Sequence, residues 1–64
     1  MICINGEKIE KDKIVLSSYL EENGINPQRI AVELNGEILP KAQYSDTVLK
    51  GGDVVEIVNF VGGG

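Results

Sequence analysis

The sequence contains no histidine and a single cysteine, Cys3. Without histidine there is no Ser-His or Cys-His pair to activate a nucleophile, and no imidazole base. One thiol cannot close an internal disulfide, so the stapled secreted scaffolds are excluded. Nor does one cysteine approach the several Cys or His ligands that a zinc site needs. Apolar runs are only a few residues long. No signal peptide and no membrane span are therefore expected, and the cytoplasm is the simplest compartment. Basic residues are in the minority, six against ten acidic ones, for a net charge of −4. They are also scattered along the chain. A nucleic-acid surface needs clustered Lys or Arg. A protein partner with a basic docking surface suits this chain better.

What is present describes one small globular domain. Apolar residues make up 42% of the 64 residues, which separates the chain from disordered compositions. A chain this short buries only ~60% of its unfolded surface, yet can fold alone. Pockets that take small molecules occupy roughly 300–1,000 Å³, and little room for one is expected here. Glu21 and Glu22 are adjacent, so they do not face each other on a helix and read as a solvated face. Gly51-Gly52-Asp53 lacks the spacing and the lysine of a phosphate loop. Cys3 lies between Ile2 and Ile4 in a strand pattern, where a buried or half-buried filler is expected. Self-contained catalysis is not expected of such a chain.

Taken in order, the chain reads as a small α+β fold. Met1-Ile2-Cys3-Ile4 runs into Asn5-Gly6, the turn dipeptide that supplies positive φ at both centres of a type I′ hairpin. A two-residue turn pairs Ile4 with Glu7, Cys3 with Lys8 and Ile2 with Ile9. Ile2, Ile4 and Ile9 then share the core face. Val15, Leu16, Tyr19 and Leu20 mark one side of a helix, with Asp12 the candidate cap for an early start. Gly24 fits the stop, with Ile25 reaching back to Leu20, and Pro27 prevents resumption. Ile30 to Leu34 is a second strand, turned by Asn35-Gly36 into Ile38-Leu39. Val32, Leu34 and Leu39 fall on its core face, and Pro40 fits an edge segment. Residues 41–50 read as connection anchored by Tyr44, Val48 and Leu49. Gly51-Gly52-Asp53 turns the chain into a last strand, Val54 to Phe60.

That last strand alternates. Val55 and Ile57 belong to one face, and Val54, Glu56, Val58 and Phe60 to the other. One helix covers one side of so small a sheet. Val58 and Phe60 are thus candidates for a partner contact, together with Val61. The competing reading covers this second face with the loop that carries Tyr44. After the strand come Gly62, Gly63 and Gly64. Three glycines present almost no bulk and reach roughly 10 Å when extended. A frayed terminus is the bland reading of such a segment. The other is a thin handle whose carboxylate enters another protein's active site. That carboxylate would be ionised at neutral pH, with pKa ~3.3–3.7. To accept a nucleophile it must first become a mixed anhydride such as an acyl-adenylate.

Ile2 to Gly6, Gly52-Asp53-Val54-Val55-Glu56-Ile57 and Phe60-Val61-Gly62-Gly63-Gly64, on a chain this short, resemble the ubiquitin-like β-grasp family. Within that family the chain is most similar to the sulfur carriers of thiamine biosynthesis, and the likeness covers all 64 residues. It implies a small mixed sheet of four to five strands packed on one helix. Residues 1–61 form the domain and 62–64 a flexible tail. It implies a protein co-substrate rather than an enzyme, with no permanently bound cofactor and no metal. An adenylyltransferase of the ubiquitin-activating type would use ATP and Mg²⁺ to adenylate Gly64. A cysteine desulfurase or sulfurtransferase would supply sulfur to make a Gly64 thiocarboxylate, and thiazole synthase would take the sulfur. Gly63 is the penultimate glycine of the motif and Gly62 adds slack. A monomer is expected, and Cys3 matches no functional position. The alternatives are a carrier for molybdopterin synthesis or a protein modifier of the same fold, and a β-grasp interaction module whose glycines do nothing.

Overall fold

The computed structural model describes residues 1–60. The expected roles of Val61, Gly62, Gly63 and Gly64, including the division at residue 61, lie outside the described residues. The first hairpin joins β1 (Ile2–Ile4) to β2 (Glu7–Ile9) in the expected register, Ile2 with Ile9, Cys3 with Lys8 and Ile4 with Glu7. Asn5 (φ 52°) and Gly6 (φ 81°) take the positive φ that a type I′ turn requires. The second hairpin repeats this chemistry between β4 (Ile30–Leu34) and β5 (Glu37–Leu39), with Asn35 at φ 53° and Gly36 at φ 86°. The final strand, β7 (Val54–Asn59), lies between the hairpins, parallel to β1 and antiparallel to β4. The result is a five-stranded mixed sheet in the order β2-β1-β7-β4-β5. Pro40 follows β5, which is an edge strand as its proline suggests.

Between the hairpins the chain differs from the sequence reading. Lys13–Val15 is a strand, β3, that pairs with β6 (Val48–Lys50) in a separate two-stranded ribbon. Val15 is therefore a strand residue and 44% exposed, not part of the helical stripe. Val48, opposite it, is 42% exposed and anchors nothing. Asp12 does not cap the helix. Its backbone carbonyl accepts from Gly51 N–H and its carboxylate lies 3.9 Å from the Met1 amine. Most of the remaining connection is a 3-10 turn, Lys41–Asp46, with Tyr44 buried.

The helix α1 spans Leu16–Glu22 and buries Leu16 and Leu20. Its stop is a Schellman motif. Ile25 N–H donates to Leu20 O at 2.8 Å and Gly24 N–H to Glu21 O at 3.1 Å, with Gly24 at φ 67°. A second 3-10 turn, Pro27–Arg29, then leads into β4. The core lies between α1 and the sheet. Ile2, Ile4, Leu16, Leu20, Ile30, Val32, Tyr44, Leu49 and Val55 are all buried. Each fully buried Leu, Ile or Val contributes about 1.5–3 kcal/mol, so a 64-residue chain depends on every one of them. Tyr44 packs on the helix side. It does not cover the opposite face of β7, and that competing reading falls.

Candidate functional site

The strand that delivers the C-terminal residues is held more tightly than its ladder alone requires. β7 is β-branched at Val54, Val55, Ile57 and Val58, which suits a central position. Both hairpin turns also grip it with side chains. Asn5 Oδ1 accepts from Ile57 N–H at 2.7 Å, and Asn5 Nδ2 donates to Ile57 O at 3.3 Å. Asn35 Oδ1 accepts from Val54 N–H at 2.9 Å, and its Nδ2 donates to Asp53 Oδ1 at 3.1 Å. Asp53 Oδ2 accepts from Lys50 N–H at 2.8 Å and closes the turn before β7. The Lys50 N–H and then the Asn35 amide hold the Asp53 carboxyl below its ordinary value. The Lys50 charge adds to them, and partial burial opposes. These two asparagines were read in the sequence only for their backbone conformation. Their side-chain role has no local signal, because it depends on which strand passes between the hairpins.

One further hydrogen bond fixes the exit. Phe60 N–H donates to Arg29 O at 2.9 Å. The Phe60 ring stays 51% exposed. Lys41 Nζ lies 5.8 Å from its centroid and also donates to Gln28 O at 3.0 Å. So Phe60 stands one residue beyond β7, with its backbone pinned and half of its surface open. Residues 61–64 follow directly.

The face of the sheet away from α1 is uncovered. Register places Ala31 opposite Val58, Glu33 opposite Glu56, Ile38 opposite Glu33, and Cys3 beside Val54. Val54, Val58 and Ile38 are 52%, 55% and 66% exposed. Cys3 is half-buried. The face is thus an apolar strip crossed by two facing carboxylates. Of the sequence-based site residues, Val58 and Phe60 stand exposed near the exit of the chain, while Val61, Gly62, Gly63 and Gly64 lie outside the described residues.

On the helix side a hollow of about 530 Å³ opens between α1 and the two 3-10 turns, lined in part by Leu20, Ile25, Lys41 and Tyr44. This corrects the expectation of little room. Of the 41–46 segment only Tyr44 is buried. Among the described residues, no three metal-ligating side chains stand together. No helix among them is long and apolar enough to cross a membrane.

Comparison with known proteins supplies the family. The ThiS family model matches residues 1–64. The sulfur carrier protein ThiS of Thermus thermophilus is 38% identical over 64 residues, covering 100% of both chains. That of Bacillus subtilis is 40% identical, again over 100% of both. A thiazole synthase of Paramagnetospirillum magneticum is 39% identical over 98% of this chain, which spans only 20% of that protein's length. Among solved structures, the thiamine biosynthesis protein ThiS of Geobacter metallireducens superposes with a TM-score of 0.75 at 30% identity. That match covers 98% of this chain and 97% of that one.

Proposed function

We propose, from the premise that this chain belongs to the ThiS family of sulfur carriers for thiamine biosynthesis, that Gly64 carries the sulfur. The end-to-end match with the Thermus carrier is the observation that carries this reading. It lets the Gly62-Gly63-Gly64 run be read as a terminal tail beyond a domain of residues 1–61. The chemistry starts from an ionised carboxylate, which is a poor electrophile. An adenylyltransferase of the ubiquitin-activating type, using its own ATP and Mg²⁺, joins the Gly64 carboxylate to AMP with loss of pyrophosphate. A persulfide sulfur from a cysteine desulfurase or sulfurtransferase attacks the acyl carbon and displaces AMP. That attack leaves an acyl disulfide to the donor cysteine. A second thiol then attacks the donor-cysteine sulfur, forming a disulfide with it and supplying the two electrons that free Gly64 as a thiocarboxylate. Thiazole synthase takes the sulfur. The domain works as a co-substrate, as a monomer in the cytoplasm, and holds no cofactor or metal of its own.

The fold supports this reading in two ways. The last strand is clamped up to Phe60 by Asn5, Asn35 and Arg29. A partner therefore meets the glycines on a rigid mount, and glycines thread a narrow passage without side-chain bulk. Beside the mount, the open apolar surface of Val58 and Phe60, with Val61, is the docking surface for the enzymes that charge and discharge the tail. The match to one-fifth of a protein named thiazole synthase supports the choice of client. A carrier-like segment there shares a chain with the rest of that protein. Intact-mass measurement of the protein from its native host tests the reading. A fraction heavier by the difference between sulfur and oxygen, confined to the C-terminal peptide, is expected. A chain left wholly unmodified in thiamine-starved cells would contradict it.

A further inference from the structure

The β3–β6 ribbon carries a local conflict that the fold does not need. On its exposed side Lys13 faces Lys50 and Val15 faces Val48, while Ile14 and Leu49 point to the core. Like charges directly opposite on an antiparallel ladder are destabilising, with Cβ atoms about 4.5–5.5 Å apart. Among the described residues no ion pair relieves either lysine. The one present joins Asp12 to the Met1 amine. Asp53, whose carboxyl feels the Lys50 charge only as a minor influence, has both oxygens engaged by the Lys50 N–H and by Asn35. Next to the ribbon lies a hollow of about 280 Å³. Lys11 and Lys13 line it above Ile9, Ile14 and Tyr19, with Glu22 the one acid. The basic residues are thus not scattered in space. Half of the six, Lys11, Lys13 and Lys50, gather around an exposed valine pair on a protein of net charge −4.

Sequences that break a local rule without compensation commonly do so where something binds. We propose that the ribbon face is a second docking surface, and that its occupant is an acidic, partly apolar surface of a protein partner. Carboxylates of that partner sit against Lys13 and Lys50, and an apolar side chain covers Val15 and Val48. Charge complementarity selects an acidic occupant, and the apolar pair selects a protein. Position gives the surface its use. Lys50 immediately precedes the turn into β7, whereas the glycines follow the strand's far end. The six residues of β7 separate the two by about 17–20 Å. A partner on the ribbon leaves Val58, Phe60 and the tail free, so one protein can hold the carrier while another works on its end.

The choice of probes rests on the proposed function. The full chain and its Lys13→Gln/Lys50→Gln variant are titrated calorimetrically against the host's adenylyltransferase and thiazole synthase, at low and high salt. Melting temperature and sulfur loading by mass are read on the same samples. The expected result is a melting temperature equal to or above wild type, because the facing charges are gone. Affinity for one of the two enzymes falls at least tenfold and loses most of its salt dependence, and Val15→Ser weakens the same complex. Unchanged affinity for both enzymes overturns the proposal. So does a lower melting temperature, which assigns the lysines to the fold, or self-association abolished by the variant, which assigns the face to a second copy. Normal sulfur loading beside unchanged affinities sinks this inference alone. A wild-type chain that binds neither enzyme and never gains sulfur sinks the functional reading with it.

Discussion

Replacing Phe60 with alanine tests the docking surface. A phenylalanine buries about 150–250 Å² when fully covered. With 51% of it still exposed, roughly 100 Å² remains for a partner to cover. At about 25 cal/mol per Å², that area is worth ~2.5 kcal/mol, or roughly 60-fold in Kd. By the same arithmetic the covered half of the residue holds up to ~2.5 kcal/mol of folding energy, an upper bound because the unfolded chain already buries part of that area. The Phe60 backbone bond to Arg29 survives the change, and the exposed Lys41 contact contributes about 0.5–1 kcal/mol. Phe60→Ala should therefore raise Kd for the adenylyltransferase or the thiazole synthase by tens of fold, mostly through faster dissociation. Melting temperature should fall as well, by roughly ten degrees, so affinity is read well below the transition. Phe60→Leu should recover most of the affinity, since it restores apolar area without the ring. Surface plasmon resonance against each enzyme reads both rates. A Kd within threefold of wild type for both would refute the placement of Phe60 in a docking surface.

Deleting Gly63-Gly64 should abolish sulfur loading, read by intact mass, and leave the melting temperature unchanged, because the buried core lies wholly within residues 2–55. Gly24→Ala should cost about 1–2 kcal/mol in urea denaturation, since φ 67° strains an L-residue although no atom stands within 4 Å of the added Cβ. Asp53 gives a pH signature. Its folded-state value is lowered, so its contribution is present above the unfolded value of ~3.9 and is lost as pH falls through the lower folded value. Asp53→Asn should flatten the melting curve against pH in that acid window and nowhere else. Asn5→Ala should destabilise the domain by about 1–3 kcal/mol by leaving Ile57 N–H unpaired, with hydrogen exchange at Ile57 accelerated.

Local chemistry made parts of this fold legible. Asn5-Gly6 and Asn35-Gly36 dictate their own φ values, and a two-residue turn fixes the register of each hairpin. Gly24 with Ile25 specified the helix stop for the same reason, since every bond of the motif spans a few residues. The ribbon was not legible. Its strands are three residues each and lie far apart in the chain, so no periodicity develops. Val15 directly precedes Leu16, Tyr19 and Leu20, and adjacency made it look helical. The exposure of Val58 followed from alternation alone. Deciding against a cover for it required the packing of Tyr44 on the helix side, which is a tertiary fact. The clasp of β7 by Asn5 spans 52 residues and has no sequence signature.

The clamped middle strand also sets an order of events at the ribosome. Both hairpins are translated first, but each has only its own turn to hold it until Val54–Asn59 arrives to join them. Most of the ladder bonding between the two halves must therefore wait until synthesis of these 64 residues is nearly done. A nascent chain interrupted before that point lacks its keystone and should be cleared by proteases. Assembly thus waits on the segment just before the glycines: the sheet closes only once Val54–Asn59 has been made.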